Sequence, residues 1–205
     1  MRGGAEVRAN GKLRKDSQQF RERLVDGAGE LLAERGTRFS LPDLARHTGV
    51  STATVYRHFE NIGEVHQAFA ERTLTELIDR LALAVSSASG SREMLSRACR
   101  TWVALGAGWG KAATYMRRPE GVLERYHAND ESIGRLFGVL RGVLDALAAE
   151  GEIPEQDHDY ALLLWVTLFD ERVFIDLLDS TNWSVSQIAS VLESSLIGAL
   201  RNRPQ

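Results

Sequence analysis

Apolar residues recur at intervals of three and four along most of the chain, and runs in which apolar and polar residues strictly alternate are almost absent. This spacing is typical of amphipathic α-helices rather than of half-buried strands. Only four prolines interrupt the 205 residues, and the tracts between them are long enough for several helices. The pattern therefore predicts an all-α fold in which a small N-terminal helical domain is joined to a larger helical domain.

Three short helices are predicted in the first domain, and serine and glycine residues mark their ends. They span about residues 17–35, 40–48 and 51–58. Ser40 and Asp43 have the spacing of a capping box, in which each side chain accepts a backbone hydrogen bond from the other residue. Gly49 lies where the second helix must stop, and glycine readily adopts the positive φ of a tight turn. Ser51 is a favourable N-cap for the third helix.

The rest of the chain is expected to consist of longer helices. The fourth begins at Asn61, and further helices are predicted at about residues 92–109, 111–118, 130–150, 156–179 and 185–201. We expect residues 1–16, which are polar and rich in Lys and Arg, to form a flexible basic arm. Residues 17–63 are then the first helical domain and residues 64–205 the second.

Composition narrows the classes of protein to which the chain can belong. The formal net charge is -3, so any surface for nucleic acid must be local rather than spread over the whole protein. A single cysteine, Cys99, excludes an intramolecular disulfide and favours a reducing, cytoplasmic setting. Cys99 lies beside an apolar stripe without a resolving partner, which argues against a redox sensor. No apolar run approaches the roughly 20 residues that span a bilayer, so no membrane partner is expected.

The second and third helices, joined by the turn at Gly49, have the size and spacing of a helix-turn-helix. Such a motif places the N-terminal residues of its second helix against base edges in the major groove. The base-facing candidates on the first turn are Thr52, Ala53 and Thr54, and Ser51 before them is a further DNA-binding candidate. The candidates for phosphate contacts are Ser40, Tyr56, Arg57 and His58. On spacing alone the same helices suit an ordinary three-helix bundle, with Tyr56 in its core.

The segment GAGELLAERGTRFSLPDLARHTGVSTATVYRHFENIGEV closely resembles the signature of TetR-family transcriptional regulators, over about residues 20–70. The resemblance implies phosphate contacts at Ser40 and Tyr56 and base-facing positions at Thr52 and Ala53. It also implies a second helical domain that binds a ligand and forms a homodimer. One position departs from the family pattern, because Ile62 stands where a lysine is usual.

The second domain offers candidates for an effector pocket and for a dimer interface. Six aromatic residues are candidate pocket residues, although each alone suits a plain core: Trp102, Trp109, Tyr115, Phe137, Trp165 and Phe169. The glycine-rich run ALGAGWGKAA predicts a weak helix end that flexes. The helices at 156–179 and 185–201 are apolar enough to form a four-helix interface between two subunits.

These observations predict a homodimeric DNA-binding transcriptional regulator, most simply a repressor that a small apolar or aromatic effector releases from a pseudo-palindromic double-stranded operator. No cofactor or metal is expected. One alternative is a TetR-like protein that binds a ligand or partner and has weakened or lost DNA binding, which Ile62 keeps open. The other is a helical enzyme, for which Asp157, His158 and Asp159 are the only suggestive cluster, and no second ligand cluster accompanies them.

Overall fold

A computed structural model describes residues 3–115 and 120–202, with side chains from residue 17 onward. The described ranges contain α-helices and one 3-10 helix and no strand, so the predicted all-α class is confirmed. The chain divides into two compact units, residues 1–71 and 72–205. Among the described helices, none combines the length and the apolar character that a bilayer crossing requires.

The first unit holds three helices and the start of a fourth, which continues into the second unit. They are α1 (Gly3–Arg35), α2 (Leu41–Thr48), α3 (Thr52–His58) and α4 (Ile62–Ser86). Helix α1 begins well before the expected start at Ser17, so the backbone of residues 3–16 is helical where we expected a flexible arm. The first two residues of that arm, and the side chains of all of it, lie outside the described part of the chain. The domain boundaries remain a prediction.

Local capping explains why α2 and α3 form where they do. The backbone N–H of Ser40 donates to the Asp43 carboxylate at 2.9 Å, and the Asp43 N–H donates to Ser40 Oγ at 3.4 Å, which confirms the capping box. Gly49 ends α2 in the left-handed conformation, with φ 69°. Ser51 Oγ then accepts the N–H of Thr54 at 3.1 Å and starts α3. Gly49 and Ser51 therefore have the roles that the sequence predicted for them in the turn between the two helices.

Buried apolar side chains and one glycine determine how the helices of the first unit pack. Leu24, Leu44 and Val55 are completely buried and contribute to the core from α1, α2 and α3. A Cβ added at Gly29 of α1 would lie 2.6 Å from Cε2 of Phe69 in α4. The absence of a side chain at Gly29 thus lets the Phe69 ring lie directly on the α1 backbone.

The second unit contains the remaining elements. They are α5 (Ser91–Trp109), a 3-10 helix (Gly110–Tyr115), α6 (Val122–His127), α7 (Glu131–Ala149), α8 (His158–Leu168), α9 (Glu171–Ser180) and α10 (Val185–Arg201). Helix α5 packs against α7, α9 and α10, and so occupies the middle of the unit. A Cβ at Gly106 would overlap the Phe174 ring, so this glycine serves the contact between α5 and α9. Helix α5 ends at Trp109, inside the glycine-rich run, as predicted, and the flexing of this helix end stays a prediction.

The helices of the second unit differ from the prediction in three ways. The helix predicted at 156–179 is two helices, because the Asp170 carboxylate accepts the N–H of Arg172 at 2.8 Å and caps a new helix. The helix predicted at 111–118 is the 3-10 helix, and residues 116–119 lie outside the described ranges. Helix α6 was not predicted, since its six residues are too few to show a helical period.

Candidate functional site

One face of α3 is exposed and carries four of the eight predicted DNA-contacting side chains. Thr52, Ala53, Tyr56 and Arg57 are all exposed, and their spacing places them together along the helix. Val55, on the other side, is completely buried. Tyr56 is 53% exposed, so it is not the core aromatic that the alternative interpretation required. The first unit therefore presents small residues at the start of α3 and a phenol and a guanidinium behind them.

Two of the DNA-binding candidates at the start of α3, Ser51 and Thr54, have hydroxyls that already take part in capping. Ser51 Oγ lies 2.8 Å from Thr54 Oγ1 and also accepts the Thr54 backbone N–H. Thr54 is only half-exposed. Thr52 and Ala53 are thus the candidates whose side chains face outward without a partner in the capping interactions.

Ser40 is exposed, and its hydroxyl is likewise engaged. The hydroxyl donates to the Asp43 carboxylate at 2.6 Å, and the Arg46 guanidinium lies 3.1 Å from the other carboxylate oxygen. The hydrogen bonds from Ser40 are the main reason why the pKa of Asp43 lies below its usual range. A phosphate approaching Ser40 must compete with this carboxylate for the hydroxyl proton, while Arg46 stands beside it as a cation.

His58 differs from the other phosphate candidates because its ring is half-buried. Its Nε2 is buried and has no hydrogen-bond partner among the described residues. Burial, followed by the charges of Arg57 and Arg21, lowers the pKa of His58. The ring is therefore neutral near pH 7, and Nε2 reaches a phosphate only if the side chain moves.

Arg21 is a further cation at the site, and the sequence patterns did not predict it. Its guanidinium carbon lies 4.9 Å from the centroid of the Phe59 ring, and Phe59 is the C-cap residue of α3. Arg21 is exposed and forms no ion pair with any described carboxylate. No local sequence pattern could have shown this contact, because residues 21 and 59 lie on different helices and far apart in the chain. Arg21 belongs to α1, outside the helix-turn-helix.

The start of α4 carries carboxylates where the family pattern has a lysine. Ile62 is the first residue of the helix and is half-exposed. The Glu64 carboxylate accepts the N–H of Glu60 at 2.9 Å, and Asn61 Oδ1 accepts the N–H of Glu64 at 3.1 Å. This arrangement confirms the predicted helix start near Asn61, and it places no cation at residue 62.

Four of the six predicted pocket residues are core residues of the second unit: Trp102, Phe137, Trp165 and Phe169. The Phe169 ring lies 5.7 Å from that of Trp102 and 6.3 Å from that of Trp165, measured between centroids. We call these three residues the aromatic cluster. Phe137 instead pairs with Tyr126 at 4.8 Å, a residue that the sequence patterns did not single out.

The other two pocket candidates lie elsewhere. Trp109 is half-buried and packs against the same hydrophobic core near the end of α5. Tyr115 is 45% exposed at the end of the 3-10 helix, so the structure does not bring it into the aromatic cluster.

Exposed apolar side chains stand on α8 and α10, which pack against each other. Tyr160 and Leu163 on α8 are 46% and 40% exposed, and Val191 on α10 is 43% exposed. Ser194 and Ser195, both exposed, continue the α10 face with small side chains. These positions fall on the two segments that were predicted to form a subunit interface.

The residues that suggested an enzyme serve separate structural purposes. Asp157 caps α8 by accepting the N–H of Tyr160 at 3.0 Å. His158 Nε2 lies 2.7 Å from Asp145, and the Asp159 carboxylate lies 2.8 Å from His127. Within the described ranges, no three His, Cys, Asp or Glu side chains are grouped so as to hold a metal ion.

Comparison with known proteins gives a family match over the helix-turn-helix segment. Residues 24–69 match the bacterial regulatory proteins of the tetR family, and this range contains α2, α3 and the start of α4. A search of curated proteins gives no significant match.

Several solved structures share the fold at low identity. The fatty acid degradation regulator FadR from Bacillus halodurans is 20% identical, with a TM-score of 0.70 over 88% of this chain and 99% of that chain. FadR from Bacillus subtilis, solved in complex with stearoyl-CoA, is 20% identical, with a TM-score of 0.69 over 90% and 99%. A TetR family regulator from Marinobacter aquaeolei VT8 is 18% identical, with a TM-score of 0.70 over 94% and 100%.

These similar proteins are transcriptional regulators and not enzymes. The exposed face of α3 lies inside the matched range, on the helix that such a motif uses to read DNA. Residues 24–69 therefore match the helix-turn-helix segment of the tetR family, and the fold of the chain is similar to the folds of solved transcriptional regulators of that family.

Proposed function

We propose that this protein is a homodimeric repressor that a small, largely apolar effector releases from its operator. The observation that carries the proposal is the exposed face of α3, where Thr52 and Ala53 precede Tyr56 and Arg57. Small side chains at the start of a reading helix let its backbone approach the base edges, and the Thr52 methyl suits contact with a thymine methyl. Tyr56 and Arg57 then donate to phosphates and set the docking register.

Arg21 completes the phosphate-contacting set on the first unit. Its stacking on Phe59 holds a cation beside the end of α3, where Arg57 supplies a second one. Neither arginine is engaged with a described carboxylate, so both charges are available to neutralise phosphates. This pair takes over the electrostatic part of the role that a lysine at position 62 would have.

Dimer formation follows from the apolar side chains exposed on α8 and α10. Tyr160, Leu163 and Val191 provide an apolar surface on two adjacent helices, and two such pairs of helices suit an isologous interface. A dimer presents two α3 helices to two half-sites, whose centres lie about 34–36 Å apart or a small multiple of that distance. The operator is accordingly a pseudo-palindrome.

Effector binding in the second unit changes the affinity for DNA by favouring a dimer geometry that no longer matches the half-site spacing. Coupling between two such sites is typically about 1–3 kcal/mol, which corresponds to roughly 5–150-fold in affinity. The aromatic cluster is the proposed place of binding because it gathers the predicted pocket residues Trp102, Trp165 and Phe169.

Mapping the DNA that the protein protects upstream of its own and neighbouring genes is the direct test. A labelled duplex of the protected sequence then gives the affinity of the wild type, of Tyr56→Phe and of Arg141→Ala, an exposed arginine of the second unit that serves as a control. We expect Tyr56→Phe to weaken binding and Arg141→Ala to leave it unchanged. Absence of any protected sequence would overturn the proposal.

A second candidate function follows from the start of α4. Glu60 and Glu64 bring negative charge to the place where the lysine is missing, which disfavours a neighbouring phosphate. A TetR-like protein that binds an effector or a protein partner, without DNA, is therefore the alternative. Effector binding in the absence of any protected DNA would support it over repression.

A further inference from the structure

Two indole N–H groups in the core of the second unit have no hydrogen-bond acceptor among the described residues. Trp165 is completely buried and Trp102 is 3% exposed. The Nε1 atom of each is buried, and no described atom accepts its proton. An indole N–H is a donor only, and a buried donor without an acceptor lowers the stability of the folded state.

The remaining buried polar side chains of this unit, as far as it is described, are with one exception hydrogen-bonded. Ser91 donates its N–H and its hydroxyl to the Glu150 carboxylate at 3.1 and 2.7 Å. Asp170 accepts from the backbone and the guanidinium of Arg172. The exception is Oε1 of Gln156, whose amide nitrogen is bonded to backbone oxygens. The unpaired donors are therefore a specific feature of the two indoles.

Both indoles belong to the aromatic cluster and contact the same ring. The Phe169 ring centroid lies 5.7 Å from that of Trp102 and 6.3 Å from that of Trp165, so indoles from α5 and α8 lie beside one phenyl ring. An acceptor that enters beside Phe169 satisfies donors that the protein itself leaves unpaired. A site with buried unpaired donors disfavours ligands that cannot accept their hydrogen bonds, so the aromatic cluster favours a ligand that carries a hydrogen-bond acceptor.

The surroundings restrict the charge of that acceptor. Asp170, next to Phe169 in the chain, is a buried carboxylate, and the Arg172 guanidinium is already paired with it at 2.9 Å. A carboxylate ligand beside Phe169 would lose its hydration and meet this like charge, which is unfavourable. A neutral oxygen bears no such penalty.

We propose that Trp102 and Trp165 donate hydrogen bonds to the effector, and that the effector is an apolar molecule with a neutral carbonyl oxygen, as in a ketone, ester, thioester or lactone. This inference rests on the proposed function, because it concerns the same effector site. It adds the polar group by which the effector is selected.

Three small probes of matched shape test the inference on the full-length protein. Cyclohexanone carries a neutral carbonyl, methylenecyclohexane replaces its oxygen by a methylene group, and cyclohexanecarboxylate carries a charge. Each is titrated while the indole N–H resonances are followed by nuclear magnetic resonance, after assignment with single Trp→Phe variants. Trp183 is an exposed indole in the same unit and serves as the internal control.

We expect cyclohexanone to bind more tightly than the other two probes and to shift the resonances of Trp102 and Trp165 downfield, while that of Trp183 stays in place. Trp102→Phe and Trp165→Phe should each reduce the preference for cyclohexanone over methylenecyclohexane by about fivefold, the worth of one net hydrogen bond. Trp183→Phe, at the exposed indole, should leave the preference unchanged.

Equal binding of the ketone and the hydrocarbon would overturn the inference, as would no saturable binding of the ketone. The inference would also be overturned if exchange signals showed a buried water bound to both indoles that stays in place in the ketone complex. Failure of the proposed function appears in a different measurement, because the protein would then protect no operator DNA. Operator release by an apolar compound that leaves both indole resonances unmoved would refute this inference alone.

Discussion

The guanidinium carbon of Arg21 lies 4.9 Å from the centroid of the Phe59 ring, so a residue of α1 is held against the end of α3. A cation above an aromatic face is attracted to the ring, and the long side chain is thereby fixed in place. The arrangement gives the proposed DNA-contacting surface a charge that the helix-turn-helix sequence alone does not contain.

Replacing Arg21 should weaken DNA binding without changing sequence preference. We expect Arg21→Ala to reduce affinity for all sequences and to lower the slope of log affinity against log salt by about 0.9 for each phosphate that Arg21 neutralises. Arg23→Ala is the matched control, since Arg23 lies 5.5 Å from the Phe20 ring on the same helix. Affinity measured across a salt series distinguishes the two. An unchanged slope in Arg21→Ala would show that residue 21 does not face the DNA backbone.

Adding the missing lysine should have the opposite effect. Ile62 is the first residue of α4, and Ile62→Lys places a cation in the first turn beside the expected phosphates. Binding to all DNA sequences should tighten about equally, and the salt slope should steepen by about one unit per half-site. Ile62→Gln controls for loss of the isoleucine. If the lysine variant binds specifically with the wild-type slope, α4 does not lie along the DNA backbone as proposed.

Thr52 should affect specificity instead of overall affinity. Its side chain is exposed at the start of α3 and is proposed to contact a base edge. We expect Thr52→Ala to relax preference at one or two base positions, each by about 1–3 kcal/mol at most, and to keep the wild-type salt slope. A set of operator duplexes with single base changes provides the measurement. A uniform loss over all of them would instead assign Thr52 to the phosphate contacts.

Alanine substitutions at Gly106 and at Gly108 form a matched pair that tests the packing of α5 against α9. A Cβ at Gly106 overlaps the Phe174 ring, whereas a Cβ at Gly108 meets no atom within 4 Å. Gly106→Ala should destabilise the protein by about 1–3 kcal/mol through overpacking. Gly108→Ala should be neutral or stabilising by up to about 1 kcal/mol, because alanine favours the helix. Denaturant unfolding of both variants tests the packing, and equal stabilities would contradict it.

Acidification should destabilise the first unit through His58 and His66. The Nε2 atom of each is buried without a partner among the described residues, and burial lowers the pKa of each below the ordinary value of 6.5. The unfolded chain therefore binds more protons than the folded one as pH falls below about 6.5, so stability is full above that pH and declines below it. Thermal unfolding between pH 7.5 and 5.5 should show this decline. His66→Phe, which places a ring against Phe39 without a titrating group, should reduce it.

Local signals account for most of what could be predicted correctly from the sequence. The capping box of Ser40, the left-handed Gly49 and the N-cap Ser51 each act within a few residues, so their chemistry is visible in the sequence. The break between α8 and α9 was missed because α8 is apolar on nearly all sides, and such a helix has no face whose end would reveal a boundary. Asp170 is compatible with either a helix interior or a cap until the surrounding packing is known.

The candidate site was predictable only where its residues belong to one element. Exposure of Thr52, Ala53, Tyr56 and Arg57 follows from the period of α3. The approach of Arg21 to Phe59 joins residues far apart in the chain, and no local pattern encodes it. For the same reason, no sequence pattern indicated that Tyr115 stays outside the aromatic cluster.

The Ser40 hydroxyl donates a hydrogen bond to Asp43, and the proposed phosphate contact at Ser40 would have to use the same hydroxyl, which would limit the residues that position 40 can hold. Helix α2 alone would accept Ser, Thr, Asn or Asp, since all are good N-caps. A phosphate contact requires a proton donor that can rotate between two anionic acceptors, which a hydroxyl does and a carboxylate does not. An aspartate here would also face Asp43 across the cap and repel the DNA. The helix start thus tolerates four residue types, and the proposed phosphate contact excludes aspartate, leaving serine, threonine and the less compact amide of asparagine.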